Sequence, residues 1–241
     1  MKLTILGSSS AGNCYVLTNN KETLLIECGV SYKDISKELN FNYGNVVGCL
    51  ISHRHGDHCK SANKLDGLVD IYCSHDVAQR CDLSFYKSIE PRNVYKMGGF
   101  TVMPFEVIHD VPCLGFFILH EDMGRLAFIT DSAYSEYSFK DVNHLLVECN
   151  YTSESLEDAI LNGITPDSHR MRLLNTHMEL KETINVIEQN ISDKLYNVIL
   201  LHLSSRNSDE MAMLDAVERR LGFKAHIATP NLTLNLSNNI Y

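Results

Sequence analysis

The stretch ISHRHGDH, residues 51–58, is the most informative part of the 241-residue sequence. It follows an apolar run, Val46 to Ile51, and places three imidazoles and one carboxylate at the end of a predicted strand. Imidazole suits zinc, iron and manganese, a carboxylate extends the choice toward harder ions, and four donors can serve two ions. A solvated, histidine-rich loop explains a lone histidine or H-x-H, but not H-x-H-x-D-H. The stretch therefore predicts metal-assisted hydrolysis.

Length and composition are typical of one large domain, predicted over 1–241. The chain is 44% hydrophobic and 21% charged, enough for a substantial core. The opening apolar run is too short for a signal peptide, and no later run approaches the roughly 20 residues of a membrane span. We therefore expect a cytoplasmic protein without a membrane partner. The eight cysteines include no C-x-x-C pair, which favours buried, reduced thiols.

The formal charge of −9 argues against a broad basic surface for nucleic acid, because nonspecific binding rests on Lys and Arg neutralising phosphates. This weakens a nuclease interpretation without excluding it, since bound divalent ions add positive charge at the site itself.

Strand-like and helix-like runs alternate along the chain. Strands are predicted at 2–6, 14–18, 23–28, 46–51, 69–73, 100–108, 114–120, 125–130, 145–149 and 196–203. Helices are predicted from a Ser31 cap through Leu39, and over 179–190 and 208–221, where apolar residues recur at helical spacing.

Three further donors lie where predicted strands end: His109, Asp131 and His202. Each ion in an open catalytic site takes about three protein ligands plus water or a bridge, so the first cluster needs such partners. Alone, each has a simpler interpretation: a buried structural histidine, a turn aspartate and a strand-end histidine. Together with the first cluster they favour a ligand set.

The sequence resembles the VicX/YycJ (WalJ) group of metallo-β-lactamase-fold proteins. The residues that carry the resemblance are the opening Gly7-Ser8-Ser9-Ser10-Ala11-Gly12-Asn13, the His53 to His58 cluster, His109-Asp110, Thr130-Asp131 and His202-Leu203-Ser204. The resemblance implies an α/β fold, a four-layer αβ/βα sandwich with the site at one edge. It also implies a two-metal phosphodiesterase related to RNase Z and to DNA-processing nucleases, acting as an exonuclease from a 5′ end of DNA.

Carried over residue by residue, the resemblance assigns His53, His55 and His109 to one ion. It assigns Asp57, His58 and His202 to a second ion and makes Asp131 the bridge, and both zinc and manganese fit these donors. A shared water of lowered pKa is then the nucleophile, and Asp57 orients it. His177 is a second catalytic candidate that could protonate the leaving oxygen or hold a phosphate. A surface histidine at a helix start is the alternative for His177.

Two loops are candidates for substrate contact. The first offers Ser8, Ser9 and Asn13, and the second offers Ser204 and Arg206. Their simpler interpretations are a β-turn loop and an exposed arginine. The basic segment from His169 to Arg172 could also hold a nucleic-acid backbone. Glu27, where the family usually has Asp, would orient a metal-bound histidine.

The sequence therefore predicts a metal-dependent phosphodiesterase, foremost a nuclease, whose partner is a nucleic acid or another phosphodiester. The alternatives are a hydrolase of small phosphodiesters or cyclic nucleotides, and a metal-binding regulator without turnover. A lactamase or glyoxalase fits the serine-rich opening less well. Oligomeric state and metal identity do not follow from these residues.

Overall fold

The strands of the protein form two sheets. The computed structural model describes residues 1–222 and 224–237, and the rest of the predicted 1–241 domain lies outside the described residues. The first sheet comprises β1 (Lys2–Ser9), β2 (Gly12–Thr18), β3 (Thr23–Ile26), β4 (Val46–Leu50), β5 (Ile71–Cys73), β6 (Lys87–Ser88) and β14 (Thr233–Asn235). The second comprises β7 (Tyr95–Met97), β8 (Phe100–Val107), β9 (Cys113–His120), β10 (Gly124–Ile129), β11 (His144–Glu148), β12 (Asn197–Leu201) and β13 (His226–Ile227).

The strand order brings parallel strand ends together. The first sheet runs β14-β1-β2-β3-β4-β5-β6 and is parallel from β3 to β6. The second runs β13-β12-β11-β10-β9-β8-β7 and is parallel from β10 to β13. In open parallel sheets, functional loops gather at the carboxyl ends of the strands. The predicted donors follow β4 in the first sheet and β8, β10 and β12 in the second, so each sheet carries its donors beyond the carboxyl ends of these strands.

Helices cover the outer face of each sheet. They are α1 (Tyr32–Glu38), α2 (Gly56–Cys59), α3 (Ala62–Leu65), α4 (His75–Cys81), α5 (Ser153–Leu161), α6 (Arg170–Thr176), α7 (Leu180–Asn190) and α8 (Glu210–Leu221). One apolar core lies between the sheets, a second lies under the helices of the first sheet, and a third lies under α7 and α8. The predicted four-layer αβ/βα sandwich is confirmed.

Most predicted elements are present with shifted ends, and the predicted Ser31 cap is present, because Ser31 accepts a hydrogen bond from the Asp34 N–H. Helices α3 to α6 and strands β6, β7, β13 and β14 were not predicted. These helices have only four to nine residues, too few to show a clear apolar period. Strand β14 is short and pairs with β1, at the opposite end of the described chain.

All eight cysteines are free, as the absence of paired motifs predicted, and seven of them are buried. Within residues 1–222 and 224–237, no helix combines the length and apolar character needed to cross a membrane.

Candidate metal centre

The seven predicted donors converge at the shared edge of the two sheets. The loop after β4 enters α2, so His53 and His55 precede this helix while Asp57 and His58 lie within it. The loops after β8, β10 and β12 bring in the other three. These seven form two groups of mutually close donor atoms: His53, His55, His109 and Asp131, and Asp57, His58, Asp131 and His202. A third group of close donor atoms joins Asp131 and His202 to Glu148 and His177.

The first group is built from three imidazoles. His55 Nδ1 lies 3.0 Å from His53 Nε2 and 3.2 Å from His109 Nε2. Asp131 Oδ2 completes the group at 3.6 Å from His53 Nε2 and 3.8 Å from His109 Nε2. Donors held at 2.0–2.1 Å from one tetrahedral zinc ion are about 3.3 Å apart, so these spacings fit one cation.

The second group uses the same oxygen of Asp131. His58 Nε2 lies 3.3 Å from Asp131 Oδ2 and 3.4 Å from Asp57 Oδ2. His202 Nε2 lies 3.5 Å from Asp57 Oδ2 and is buried, without a hydrogen-bond partner among residues 1–222 and 224–237. A buried nitrogen without a partner is costly unless a cation occupies its lone pair. The donor set therefore fits a second ion, with Asp131 between the two groups.

In each histidine of the first group, the ring nitrogen that points away from the other donors lies near a polar atom. His53 Nδ1 lies 2.9 Å from Ser52 Oγ, and His109 Nδ1 lies 3.0 Å from the carbonyl oxygen of Thr176. His55 Nε2 lies 3.5 Å from Asp110 Oδ1. Metal-ligating histidines almost always have such a partner, because it fixes the tautomer and the ring orientation.

Two buried glutamates lie next to the histidines of the second group. His58 Nδ1 lies 3.3 Å from Glu27 Oε1, within ion-pair distance but without hydrogen-bond geometry. His202 Nδ1 lies 3.2 Å from Glu148 Oε1. Both glutamates are fully buried. A buried carboxylate must be paired or lie near a metal, so these two residues add to the demand for positive charge.

The buried carboxylates shift the pKa values of the neighbouring side chains. Burial lowers the pKa of His202, but the charge of Asp131 and hydrogen bonds to Asp57 and Glu148 outweigh it and raise the pKa to about 10. Burial likewise raises the pKa of Asp131, yet the neighbouring His202 and His58 hold it well below its usual range. The cluster thus attracts protons, and a divalent cation must compete with them for the same nitrogens.

His177, the other catalytic candidate, lies beside the donors. Its ring stacks against that of His202 at a centroid distance of 5.3 Å, and its Nδ1 lies 2.7 Å from Glu148 Oε1. Burial lowers the pKa of His177, but the charge and hydrogen bond of Glu148 raise it above its ordinary value. The structure thus places an imidazole of raised proton affinity at the edge of the candidate metal centre.

Glu148 was not singled out from the sequence. Its Oε2 accepts hydrogen bonds from the Ser132 N–H at 2.8 Å and the Met178 N–H at 3.3 Å, while Oε1 serves His177 and His202. The available signal was a charged residue inside the otherwise apolar run Leu145 to Cys149. Lys, Glu, Arg and Asp are almost never fully buried unless paired, so a carboxylate in that run indicates a polar site.

Three residues of the centre have left-handed backbone conformations. Glu27, Asp131 and His202 have φ of 63°, 49° and 54°, each just beyond the end of a strand. For residues other than glycine this region costs of order 1–3 kcal/mol, and it occurs at functional sites where surrounding structure enforces it. The folded scaffold therefore stabilises the turns that direct these side chains inward.

Ser8 and Asn13 contact the residues that carry the donors. Ser8 is buried and its Oγ accepts the N–H of His202 at 2.9 Å. Asn13 is fully buried, with Nδ2 3.1 Å from His58 Nε2 and 3.2 Å from the Asp57 carbonyl oxygen. Both side chains therefore support the donors, and their predicted contact with substrate stays a prediction.

The other predicted substrate residues lie nearer the surface. Ser9 and Ser204 are half-buried and Arg206 is exposed. Ser204 Oγ accepts the N–H groups of Arg206 and Asn207 and so shapes its own loop. Arg206 lines a cavity of about 380 Å³ together with several of the donors. For these three residues substrate contact stays a prediction.

Gly29→Ala is expected to lower the free energy of unfolding by about 3 kcal/mol or more, at the upper end of overpacking effects. A Cβ atom there would overlap the carbonyl group of Asp57 and lie 2.7 Å from His58 N, and backbone cannot move aside as a flexible side chain can. Denaturant unfolding of the metal-free protein measures the change. Gly56→Ala is the matched control, since its Cβ would meet nothing within 4 Å. Equal stability of the two variants would contradict this packing argument.

Comparisons with known proteins agree with this geometry. Residues 1–66 match the family model described as anti-Pycsar protein Apyc1. The chain is 27% identical over 235 residues to the exodeoxyribonuclease YycJ of Bacillus anthracis, covering 89% of this chain and 87% of the relative. It is 24% identical over 239 residues to the exodeoxyribonuclease WalJ of Streptococcus pneumoniae, covering 90% and 87%.

Solved structures show the same fold. The metallo-β-lactamase fold protein YhfI from Bacillus subtilis superposes with a TM-score of 0.75 at 18% identity, covering 97% of this chain and 98% of that one. Zn²⁺-bound PqqB from Methylobacterium extorquens superposes with a TM-score of 0.72 at 16% identity, covering 98% and 100%. The chain therefore has the metallo-β-lactamase fold, resembles the YycJ and WalJ exodeoxyribonucleases over most of its length as its motifs indicated, and is a metal-dependent hydrolase.

Proposed function

We propose that the chain is a phosphodiesterase, and specifically a nuclease that removes nucleotides from DNA. The observation that carries this proposal is the pair of donor groups that share Asp131 Oδ2, since two-ion sites are suited to in-line displacement at phosphorus. Both sequence relatives are named exodeoxyribonucleases. In the proposed assignment His53, His55 and His109 would hold one ion, Asp57, His58 and His202 would hold the other, and Asp131 would serve both.

The reaction needs a nucleophile, charge neutralisation and a proton for the leaving oxygen. Two divalent ions, zinc or manganese, would supply acidity to a water molecule and neutralise the phosphate. The chain's own part begins at Asp57, which is 22% exposed at its side chain and lines the cavity, whereas Asp131 is buried. Asp57 is thus the carboxylate placed to orient an attacking water and accept its proton.

His177 supplies the proton in this scheme. Glu148 engages its Nδ1, which leaves Nε2 as the nitrogen that can carry a proton toward the cavity. The charge and hydrogen bond of Glu148 raise the pKa of His177 above its ordinary value, a shift toward the protonated state that a general acid requires. Glu148 acts through His177 and His202 and is a positioning residue.

A hydrolase of small phosphodiesters or cyclic nucleotides is the second candidate. The match of residues 1–66 to the Apyc1 model and a cavity of about 380 Å³ favour it. A polymer end and a small diester can both enter such an open cavity, so the two candidates differ in substrate and share the donor chemistry.

The proposal is tested by metal analysis and a substrate panel on protein purified without chelator. We expect about two ions per chain, and hydrolysis of single-stranded DNA when manganese or zinc is supplied. Asp57→Asn should keep its fold and lose turnover, which separates intrinsic activity from contamination and from a regulator without turnover. Fewer than about 1.5 ions per chain would contradict the two-ion assignment. Hydrolysis of a thioester or lactam in place of any phosphodiester would refute the phosphodiesterase.

A further inference from the structure

Two arginines lie at the cavity beside the donors. The cavity lining includes residues of the two donor groups together with Arg172 and Arg206. The chain as a whole carries a formal charge of −9, so these two arginines are a local exception to the general charge. Arginine is the side chain best suited to phosphate, because its guanidinium donates two parallel hydrogen bonds.

Helix α6 presents its polar face to the cavity. His169 and Arg172 are three residues apart across the start of α6, which places them on one face, and both line the cavity. Arg170 points elsewhere: its guanidinium bonds both oxygens of Glu157, and its Nε donates to Asp167 Oδ1 at 3.1 Å. Arg170 is therefore already neutralised, whereas Arg172 has no hydrogen bond to a carboxylate in the described part of the chain.

The guanidinium groups of Arg172 and Arg206 are available to bind a phosphate. Arg172 Nη2 lies 3.7 Å from Asp110 Oδ2, longer than a hydrogen bond, and its side chain is 64% exposed. No ion pair of Arg206 occurs within residues 1–222 and 224–237. Arg206 nonetheless sits on an ordered loop, because the buried Asn207 is bonded to Thr165 Oγ1 at 2.7 Å and to Ser204 Oγ at 3.1 Å.

We propose that Arg172 and Arg206 form a subsite for a second phosphate group, next to the phosphodiester that is cleaved. This inference rests on the proposed phosphodiesterase and narrows its substrate to molecules with at least two phosphates. The scissile phosphate would lie at the donor groups, which leaves the two arginines for a neighbouring phosphate. A cyclic mononucleotide has a single phosphate and gains nothing from these arginines. The second phosphate is either a terminal monoester or the adjacent internucleotide diester.

The test compares three substrates: a short DNA strand with phosphate at both ends, the same strand with hydroxyl at both ends, and a cyclic mononucleotide. The double variant Arg172→Gln/Arg206→Gln should lower kcat/KM on the phosphorylated strand by about 30-fold, the scale of losing charge-assisted hydrogen bonds. On the cyclic mononucleotide the loss should stay within about 3-fold. A loss confined to the phosphorylated strand assigns the subsite to a terminal monoester, and a loss on both strands assigns it to the adjacent diester.

Binding supplies a readout that is independent of turnover. In an Asp57→Asn background, the double variant should weaken equilibrium binding of the preferred strand by a similar factor while bound metal stays unchanged. Arg219→Gln is the matched control, since Arg219 is exposed on α8 and pairs with Asp215.

Two outcomes overturn the inference while the proposed function stands: equal losses on strand and cyclic substrate, or no loss on any. Absence of hydrolysis of every phosphodiester by the metal-loaded wild type would instead overturn the proposed function.

Discussion

Asp131→Asn is expected to reduce bound metal from about two ions per chain to fewer than one and to lower the hydrolytic rate by at least about 10³-fold. Its Oδ2 is the one atom common to both donor groups, and an amide lacks the charge that holds two cations together. Asparagine tolerates the left-handed backbone of this position, at φ 49°, so the substitution mainly removes the charge. Elemental analysis after gel filtration measures the metal.

Asp141→Asn is the matched control. Asp141 has a similar φ of 56°, but it lies half-buried and pairs with Arg125 and Lys194 away from the donors. We expect unchanged metal content and rate for this variant. Retention of two ions in Asp131→Asn, with the fold intact by circular dichroism, would show that Asp131 is not the bridge.

His177→Ala is expected to lower kcat on a DNA phosphodiester by about 10²- to 10⁴-fold, the range for loss of a general acid. The loss should shrink to about 10-fold or less on bis-p-nitrophenyl phosphate, because its leaving phenolate needs little protonation. A purely structural role for His177 predicts equal losses on both substrates. Comparing the two substrates therefore tests the proton transfer itself.

Glu148→Gln should show the same dependence on leaving group, with a smaller loss, because the amide still bonds His177 but no longer raises its pKa. His75→Ala serves as the control, since His75 is exposed and bonds Tyr86 outside the centre. Identical losses on the activated and natural substrates would rule out His177 as the acid.

The convergence of the donors could be predicted because it depends on local features. His53 to His58 follow a recognisable apolar strand, and His109, Asp131 and His202 each follow another. Carboxyl ends of parallel strands in one sheet meet at one edge, which favours the meeting of Asp131 and His202 after β10 and β12. The meeting of these two with the cluster after β4, in the other sheet, was implied by the family resemblance. The four-layer αβ/βα architecture was implied by the family resemblance, and the alternation of strand-like and helix-like runs agreed with it.

The residues that position the metal donors could not be predicted, because their roles depend on contacts between distant segments of the chain. Ser8 meets His202, and Glu148 meets His177, only after the two sheets have packed. The left-handed turn at His202 has no local signal either, since histidine carries no strong preference for it. Sequence thus identified donors more readily than the residues that orient them.

The pairing of β1 with β14 has a consequence for how this protein folds. Lys2 lies opposite Asn235, so the first strand of the chain remains a sheet edge until nearly the last described residues join it. The chain between β1 and β14 must close into a large loop before the two strands can pair. The entropy lost in this closure slows folding, and the edge of β1 stays unpaired and exposed until β14 joins it. During synthesis, the sheet that carries His53 to His58 is therefore completed late, and partially made chains are vulnerable to edge-to-edge association.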